Sequence, residues 1–182
     1  MALETPFIPS PYSVIKTALD IARVGKHDIF YDLGAGDGRV VIEAAQRGAY
    51  SIAVELDPFL AEVIRQKAKE LKLEDRIRVI EASYYDVYLG YATVIYTYLY
   101  QSINEKLSEK YERELKIGTR IVTIDFPIPN WVPVKIKRLL DDSGIVRTIF
   151  LYIIGVSNPS ALMRRIQVLD YKSILRNLGW SY

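Results

Sequence analysis

The stretch from Asp28 to Ala45 constrains the fold of this chain more than any other. A short apolar run ending in Leu33 leads into the spacing D-x-G-x-G-x-G, with Asp32, Gly34, Gly36 and Gly38 at its fixed positions. A helical apolar period follows at Val40, Val41, Ala44 and Ala45. Strand, tight glycine turn and helix in that order open a parallel α/β sheet. Such a turn lies at the carboxyl edge of the sheet, where backbone N–H groups and the positive helix end face outward and the glycines let a ligand approach closely.

The same unit recurs. Ser51 to Glu55 reads as a strand, Pro58 opens a helix with Leu60, Ile64, Ala68 and Leu71 on one face, and Arg76 to Glu81 is the next strand. Beyond a tyrosine-rich loop, Ala92 to Leu99 is a fourth strand, and Ile103, Leu107, Tyr111 and Leu115 keep the i, i+4 stripe of a helix. Its other face is charged, with Glu109–Arg113 and Glu112–Lys116 at ion-pair spacing. Arg120 to Phe126 is a fifth strand; Val134 to Leu140 and Ile145 to Ile154, joined without a helix, form an antiparallel pair. Ahead of all this, a first helix is expected with Ser10 as N-cap, Pro11 as its first residue, and Val14, Ile15, Ala18, Leu19 and Ala22 on its buried face. The fold class is therefore α/β, Rossmann-like, with helices on both faces of a mostly parallel sheet. Residues 1–155 make the domain, and 156–182 form a C-terminal extension, helix or strand, that packs on it or on a second subunit.

Composition narrows the chemistry. The length of 182 residues suits one domain, and 24 Lys and Arg against 22 Asp and Glu supply no chain-wide basic field for a nucleic-acid backbone. Cysteine is absent and His27, read as a surface residue, is the one histidine. Thiol catalysis and cysteine-ligated zinc are thereby excluded, a single histidine argues against Ser-His-Asp hydrolysis, and no metal site is expected. No apolar run reaches the roughly 18 to 20 residues that span a bilayer, and no signal-peptide pattern opens the chain. A soluble cytoplasmic protein is expected, and the few amides, the missing cysteine and the interspersed Lys and Glu suit a thermophilic source.

The glycine spacing is not the G-x-G-x-x-G of nicotinamide cofactors, and Asp32 beside it would repel a pyrophosphate while suiting a cationic amine. Glu55 ends the second strand 21 residues after Gly34, where a carboxylate accepts hydrogen bonds from both hydroxyls of a ribose. Acid, glycine turn and second acid together suit S-adenosylmethionine, which offers an amino group and a ribose diol but no phosphate. Asp37 reads either as a cap of the following helix or as a ligand contact.

On these residues the chain resembles the class I S-adenosylmethionine-dependent methyltransferases. More narrowly, it is similar to the archaeal broad-specificity protein-lysine methyltransferases and their mitochondrial relatives. The resemblance runs from about residue 6 to Gly155 through the 6–11 segment, Tyr31 to Arg39, Val54 to Asp57, Ala92 to Ile95, Ile103 and Asn104, Gly118 to Arg120, Asp125 and Phe126, and Trp131. It implies a seven-stranded sheet whose last strand is antiparallel. It implies that Asp32, Gly34, Ala35 and Gly36 lie near the methionine part of the cofactor, Glu55 and Leu56 at the ribose, and Ser83 with Tyr84 at the adenine. The resemblance also implies that Ser10 belongs to a lid across the cofactor. Three positions depart from the family pattern: Ile124 stands before Asp125 where a histidine is frequent, and Tyr98 and Tyr100 replace smaller or non-hydroxylated residues.

With a methyl already activated on a sulfonium, the protein chiefly aligns an attacking lone pair and excludes water. A lysine substrate must react as the neutral amine, whose free pKa is near 10.4. Tyr98 is a candidate to orient that amine, and Asp125 either receives the substrate ammonium or serves structure. Trp131 is either a wall of the site or core. Proteins carrying exposed lysines are the expected partners of a monomer or small homo-oligomer, with no membrane involved. Nucleic acid is less favoured: Tyr96 to Leu99 is not the Asn/Asp-Pro-Pro-aromatic motif of base methylation, and Arg164 with Arg165 suits solvent or a subunit contact better. Methylation of RNA or of a small molecule, and cofactor binding without catalysis, are the alternatives.

Overall fold

The computed structural model describes residues 8–160. Seven strands form one sheet in the order β3-β2-β1-β4-β5-β7-β6. β1 (Ile29–Leu33), β2 (Tyr50–Glu55), β3 (Ile77–Glu81), β4 (Val94–Thr97) and β5 (Arg120–Ile124) are parallel. β7 (Val146–Ile153) runs antiparallel to both β5 and the edge strand β6 (Lys135–Leu140). The strand order reverses between β1 and β4, so the glycine turn after β1 sits at the switch point where open α/β sheets take their ligands. This is the Rossmann-like fold expected from the sequence, including its antiparallel last strand.

The central strands β1, β2, β4 and β5 are buried almost throughout, whereas β6 is exposed along nearly its whole length. Continuous burial follows from helices covering both faces. On one face, α1 (Tyr12–Ile21), α2 (Arg39–Gln46) and α3 (Pro58–Glu70) pack Val14, Ile15, Leu19, Val41, Ala44 and Ile64 against Phe30, Ala53, Val94, Tyr96 and Val122. On the other, α4 (Gln101–Glu114) packs Ile103, Leu107 and Tyr111 against Leu33, Ile95, Ile121 and Tyr152. Trp131 belongs to this second core, edge-on to Tyr111 and Tyr152.

Several local readings are corrected. Pro11, not Ser10, is the N-cap of α1, and no side chain caps the helix. The ion pairs read along α4 give way to Lys110 with Glu114 at 2.9 Å, and Glu114 also accepts the Leu89 amide at 3.0 Å. That half-buried carboxylate ties the 82–93 loop to the helix, a task solvent-facing pairs could not perform. Asp57 caps α3 by accepting the Phe59 amide at 2.8 Å. No helix among the described residues is long and apolar enough to cross a membrane. Residues 161–182 of the 156–182 extension lie outside the described residues, and with them the strand reading and all of the helical one beyond Pro159 and Ser160, which are helical.

Candidate active site

The glycine turn is tied to β2. The amides of Gly34 and Ala35 both donate to the Val54 carbonyl, at 2.9 and 3.0 Å, and the Gly36 amide donates to Glu55 Oε2 at 2.7 Å. The outward N–H groups expected from the sequence are thus turned inward over Gly34–Gly36, because the parallel neighbour strand supplies acceptors at that height. A phosphate would find no donors there. Gly38 adopts φ +82°, and a Cβ on it would lie 2.8 Å from Ile64 Cγ1, so the third glycine admits α3 rather than a ligand.

Two carboxylates remain at the carboxyl edge. Glu55 is buried, and its Oε1 accepts the amides of Leu56 and Asp57 at 2.8 and 2.9 Å while Oε2 holds Gly36. Asp32 is 2% exposed, and among the described residues no donor reaches its carboxylate. Burial first, then the neighbouring negative charges of Glu55 and Asp37, push its pKa well above the usual carboxylate range. A buried acid with acceptor capacity and no cation is a receptor for a positively charged group. An α-ammonium at Asp32 and a ribose diol at Glu55 fit this arrangement; a pyrophosphate does not.

Asp37 takes a different place from either sequence reading taken alone. It accepts the Arg39 amide at 3.3 Å at the start of α2 and forms an ion pair with the Arg39 guanidinium at 2.8 Å, with Lys67 3.5 Å away. Arg39 in turn donates to the Ser10 carbonyl at 3.2 Å and lies 5.2 Å over the ring of Tyr12. Ser10 Oγ accepts from the Tyr96 hydroxyl at 2.9 Å, in a buried contact. The segment before α1 is therefore clamped over the carboxyl end of β4. Tyr96, opposite Asp32 across the β1–β4 ladder, carries a phenol pushed far upward in pKa by burial.

One strand farther along, the Tyr98 hydroxyl donates to Asp125 Oδ2 at 3.0 Å. Arg147 Nη1 reaches both Asp125 Oδ2 and the Tyr98 oxygen at 2.9 Å, and its Nε holds Asp141 at 2.8 Å. The Thr148 amide donates to Asp125 Oδ1 at 2.9 Å, and Asp125 sits at φ +60° directly after β5. Burial and the Asp125 carboxylate raise the Tyr98 phenol to about 12. Phe126 lies between Tyr98 and Tyr100, with ring centroids 6.5 and 5.4 Å away. Asn104, fully buried in α4, joins the ends of β4 and β5 by donating to Leu99 O and Phe126 O at 3.3 and 3.0 Å.

The structure thus brings Asp32, Gly34, Ala35, Gly36, Glu55 and Leu56 together at the ends of β1 and β2, Ser10 above β4, and Tyr98 with Asp125 at the ends of β4 and β5. Ser83 and Tyr84 follow β3; the Ser83 hydroxyl accepts the Tyr85 amide at 3.3 Å, and the Tyr84 and Tyr85 rings meet edge to face at 4.7 Å. Trp131 stands apart in the α4 core. Arg147 was not legible as a site residue, since a cation in an edge hairpin reads as solvated. Among the described residues, no group of three or more His, Cys, Asp or Glu side chains is placed to hold a metal ion.

Comparison with known proteins agrees with this geometry. The profile of the ANTKMT methyltransferase domain matches residues 32–135. A protein-lysine N-methyltransferase of Saccharolobus islandicus (strain REY15A) is 35% identical over 157 residues, covering 84% of this chain and 95% of that protein. The adenine nucleotide translocase lysine N-methyltransferase of Mus musculus is 28% identical over 137 residues; the match takes in 75% of this chain but only 59% of the mouse protein. Among solved structures, an RNA methyltransferase from Salinibacter ruber in complex with S-adenosyl-L-homocysteine superposes with a TM-score of 0.76 at 34% identity, covering 81% of this chain and 94% of that one. The chain belongs to the ANTKMT methyltransferase-domain family and is a class I, S-adenosylmethionine-dependent methyltransferase.

Proposed function

We propose that this protein N-methylates lysine side chains of other proteins. The observation that carries the reading is the match to the archaeal lysine methyltransferase along 95% of its length, which takes in the substrate end of the site as well as the cofactor end. The side chains at that end suit the chemistry. Tyr98, Tyr100 and Phe126 form an aromatic wall that shields an alkyl chain and leaves its terminal nitrogen beside the Tyr98 hydroxyl.

S-adenosylmethionine, when bound, supplies a methyl group on a sulfonium, so no enzyme nucleophile is needed. Asp32 would receive the ammonium of the cofactor and Glu55 its ribose, while the Ser10–Tyr96 contact holds the segment before α1 above β4. Tyr98 keeps its proton across the physiological range and orients the amine. Because Asp125 is ion-paired with Arg147, the proton that the amine sheds before attack passes to water.

The experiment is transfer of labelled methyl from the cofactor into a cell extract. Label that survives ribonuclease and is released by protease supports lysine methylation of proteins. The second reading, RNA methylation, is favoured by the name of the Salinibacter ruber structure alone; it requires label that ribonuclease removes.

A further inference from the structure

Asp125 and Tyr98 were candidates from the sequence; the third member of their cluster was not. Arg147 projects from β7 with its side chain 19% exposed and spends one nitrogen on the Asp125 carboxylate and the Tyr98 oxygen at once. Its other contact, Asp141, is itself fixed by the amides of Ser143 and Ile145 at 2.8 and 3.0 Å and by the Ser143 hydroxyl at 2.6 Å. Those hydrogen bonds, together with Arg147, hold Asp141 ionised well below the usual carboxylate range. The guanidinium is therefore braced from the turn between β6 and β7, and its position does not depend on a substrate.

We propose that Arg147 is a positioning residue that sets the charge of the substrate end: by neutralising Asp125 it makes the Tyr98–Asp125 pair a receptor for an uncharged amine instead of an ammonium. The inference rests on the lysine reading above. An unpaired carboxylate beside the Tyr98 hydroxyl would attract the protonated, unreactive form of the substrate and hold it there. With Arg147 in place, the phenol proton points to Asp125, the guanidinium occupies part of the phenol oxygen, and the remaining lone-pair direction accepts from a neutral N–H. The nearest cation to an arriving ammonium is then Arg147, which favours loss of the proton before attack.

The other titratable groups around this cluster do not supply the same effect. β4 contributes Tyr96, whose hydroxyl is taken by Ser10; β1 contributes Asp32, on the cofactor side; the turn contributes Asp141, paired with Arg147, and Asp142, which accepts the Ser13 amide of α1 at 3.4 Å. Arg147 is the guanidinium that touches both Tyr98 and Asp125.

The test is the pH dependence of kcat at saturating lysine substrate, which reports the pKa of the bound amine when transfer is rate-limiting. Arg147→Gln leaves Asp125 uncompensated, so the profile moves to higher pH by about 1 unit, kcat at pH 8 falls about tenfold, and KM falls instead of rising. Asp125→Asn leaves Arg147 in excess, and the profile moves to lower pH. The double variant returns toward wild type, and Arg147→Lys, which keeps the cation, stays near it. A purely structural role moves all variants in one direction or lowers kcat without shifting the profile, and either result overturns the assignment. Cofactor affinity by calorimetry, expected within twofold of wild type for all four, shows that the fold is kept; if Arg147→Gln fails this check, the shift of Asp125→Asn to lower pH beside an unshifted Arg147→Lys decides. Wild-type protein that labels RNA and no lysine overturns the lysine reading and this inference together, whereas lysine methylation with unshifted profiles overturns only the role of Arg147.

Discussion

Glu55 Oε2 accepts the amide of Gly36 at 2.7 Å, which makes the acid at the end of β2 a brace of the glycine turn at the end of β1. Replacing Glu55 with Ala therefore strips acceptors from Gly36, Leu56 and Asp57 in addition to the ribose. It is expected to lower both stability and cofactor affinity, each by about 1–3 kcal/mol. Glu55→Gln, which keeps one acceptor oxygen, should retain more of the melting temperature than of the affinity. Calorimetry and thermal unfolding of the two variants separate the roles; an unchanged affinity in both would remove Glu55 from the cofactor site.

Asp32 places function and stability in opposition. Its folded pKa lies above its unfolded value, so the folded state holds the extra proton, and its contribution to stability falls as pH rises from the usual carboxylate range through the raised value. Cofactor affinity should run the other way and rise through the same window, because the ammonium pairs with the ionised acid. Asp32→Asn is expected to raise the melting temperature of the cofactor-free protein by about 2–4 °C near neutral pH and to weaken cofactor binding at least tenfold. Parallel losses of both would contradict this account of the site.

Gly38→Ala tests the packing half of the glycine turn. The new methyl would meet Ile64 Cγ1 at 2.8 Å in a backbone conformation of φ +82°, so a loss of about 1–3 kcal/mol is expected. Adding Ile64→Val should recover part of it in denaturant unfolding, since the steric share is relieved and the backbone share is not.

What the sequence made legible was local. The parallel strands announced themselves as apolar runs because both their faces are covered, and Asp32 and Glu55 stood out because a ligand site at a switch point is built from residues adjacent to the glycine turn. Ser10 was misread as a helix cap because its partner, Tyr96, is 86 residues away and captures the hydroxyl across the fold. Arg147 was missed for the same reason: its neighbours Tyr98, Asp125 and Asp141 come from three other elements, and nothing in the alternation of β7 separates a braced guanidinium from a solvated one. Lys110 and Glu114 belong to this class too, with the right spacing for a surface pair but a buried partner in the Leu89 amide.

The one histidine, His27, precedes β1 at the edge of the sheet opposite the site, which leaves the substrate end without an imidazole base. Tyr98 is pushed up to about 12 and keeps its proton, and the Asp125 carboxylate is taken up by the Arg147 ion pair, so the amine loses its proton to water. At subsaturating substrate, kcat/KM should rise close to tenfold per pH unit across that interval, following the free amine. Tyr98→Phe should lower the rate by about 10–100-fold without changing this slope. A flat profile with transfer rate-limiting would rule out a lysine acceptor handled in this way.

The central claim is most directly tested by identifying the methylated atom. Purified protein, incubated with S-adenosylmethionine and a lysine-rich acceptor protein, should leave one or more methyl increments on lysine side chains in fragment mass spectra, and the Glu55→Ala variant should leave far fewer at the same cofactor concentration. Methyl groups found only on RNA nucleosides in a parallel reaction, with unmodified lysines throughout the acceptor, would contradict the account.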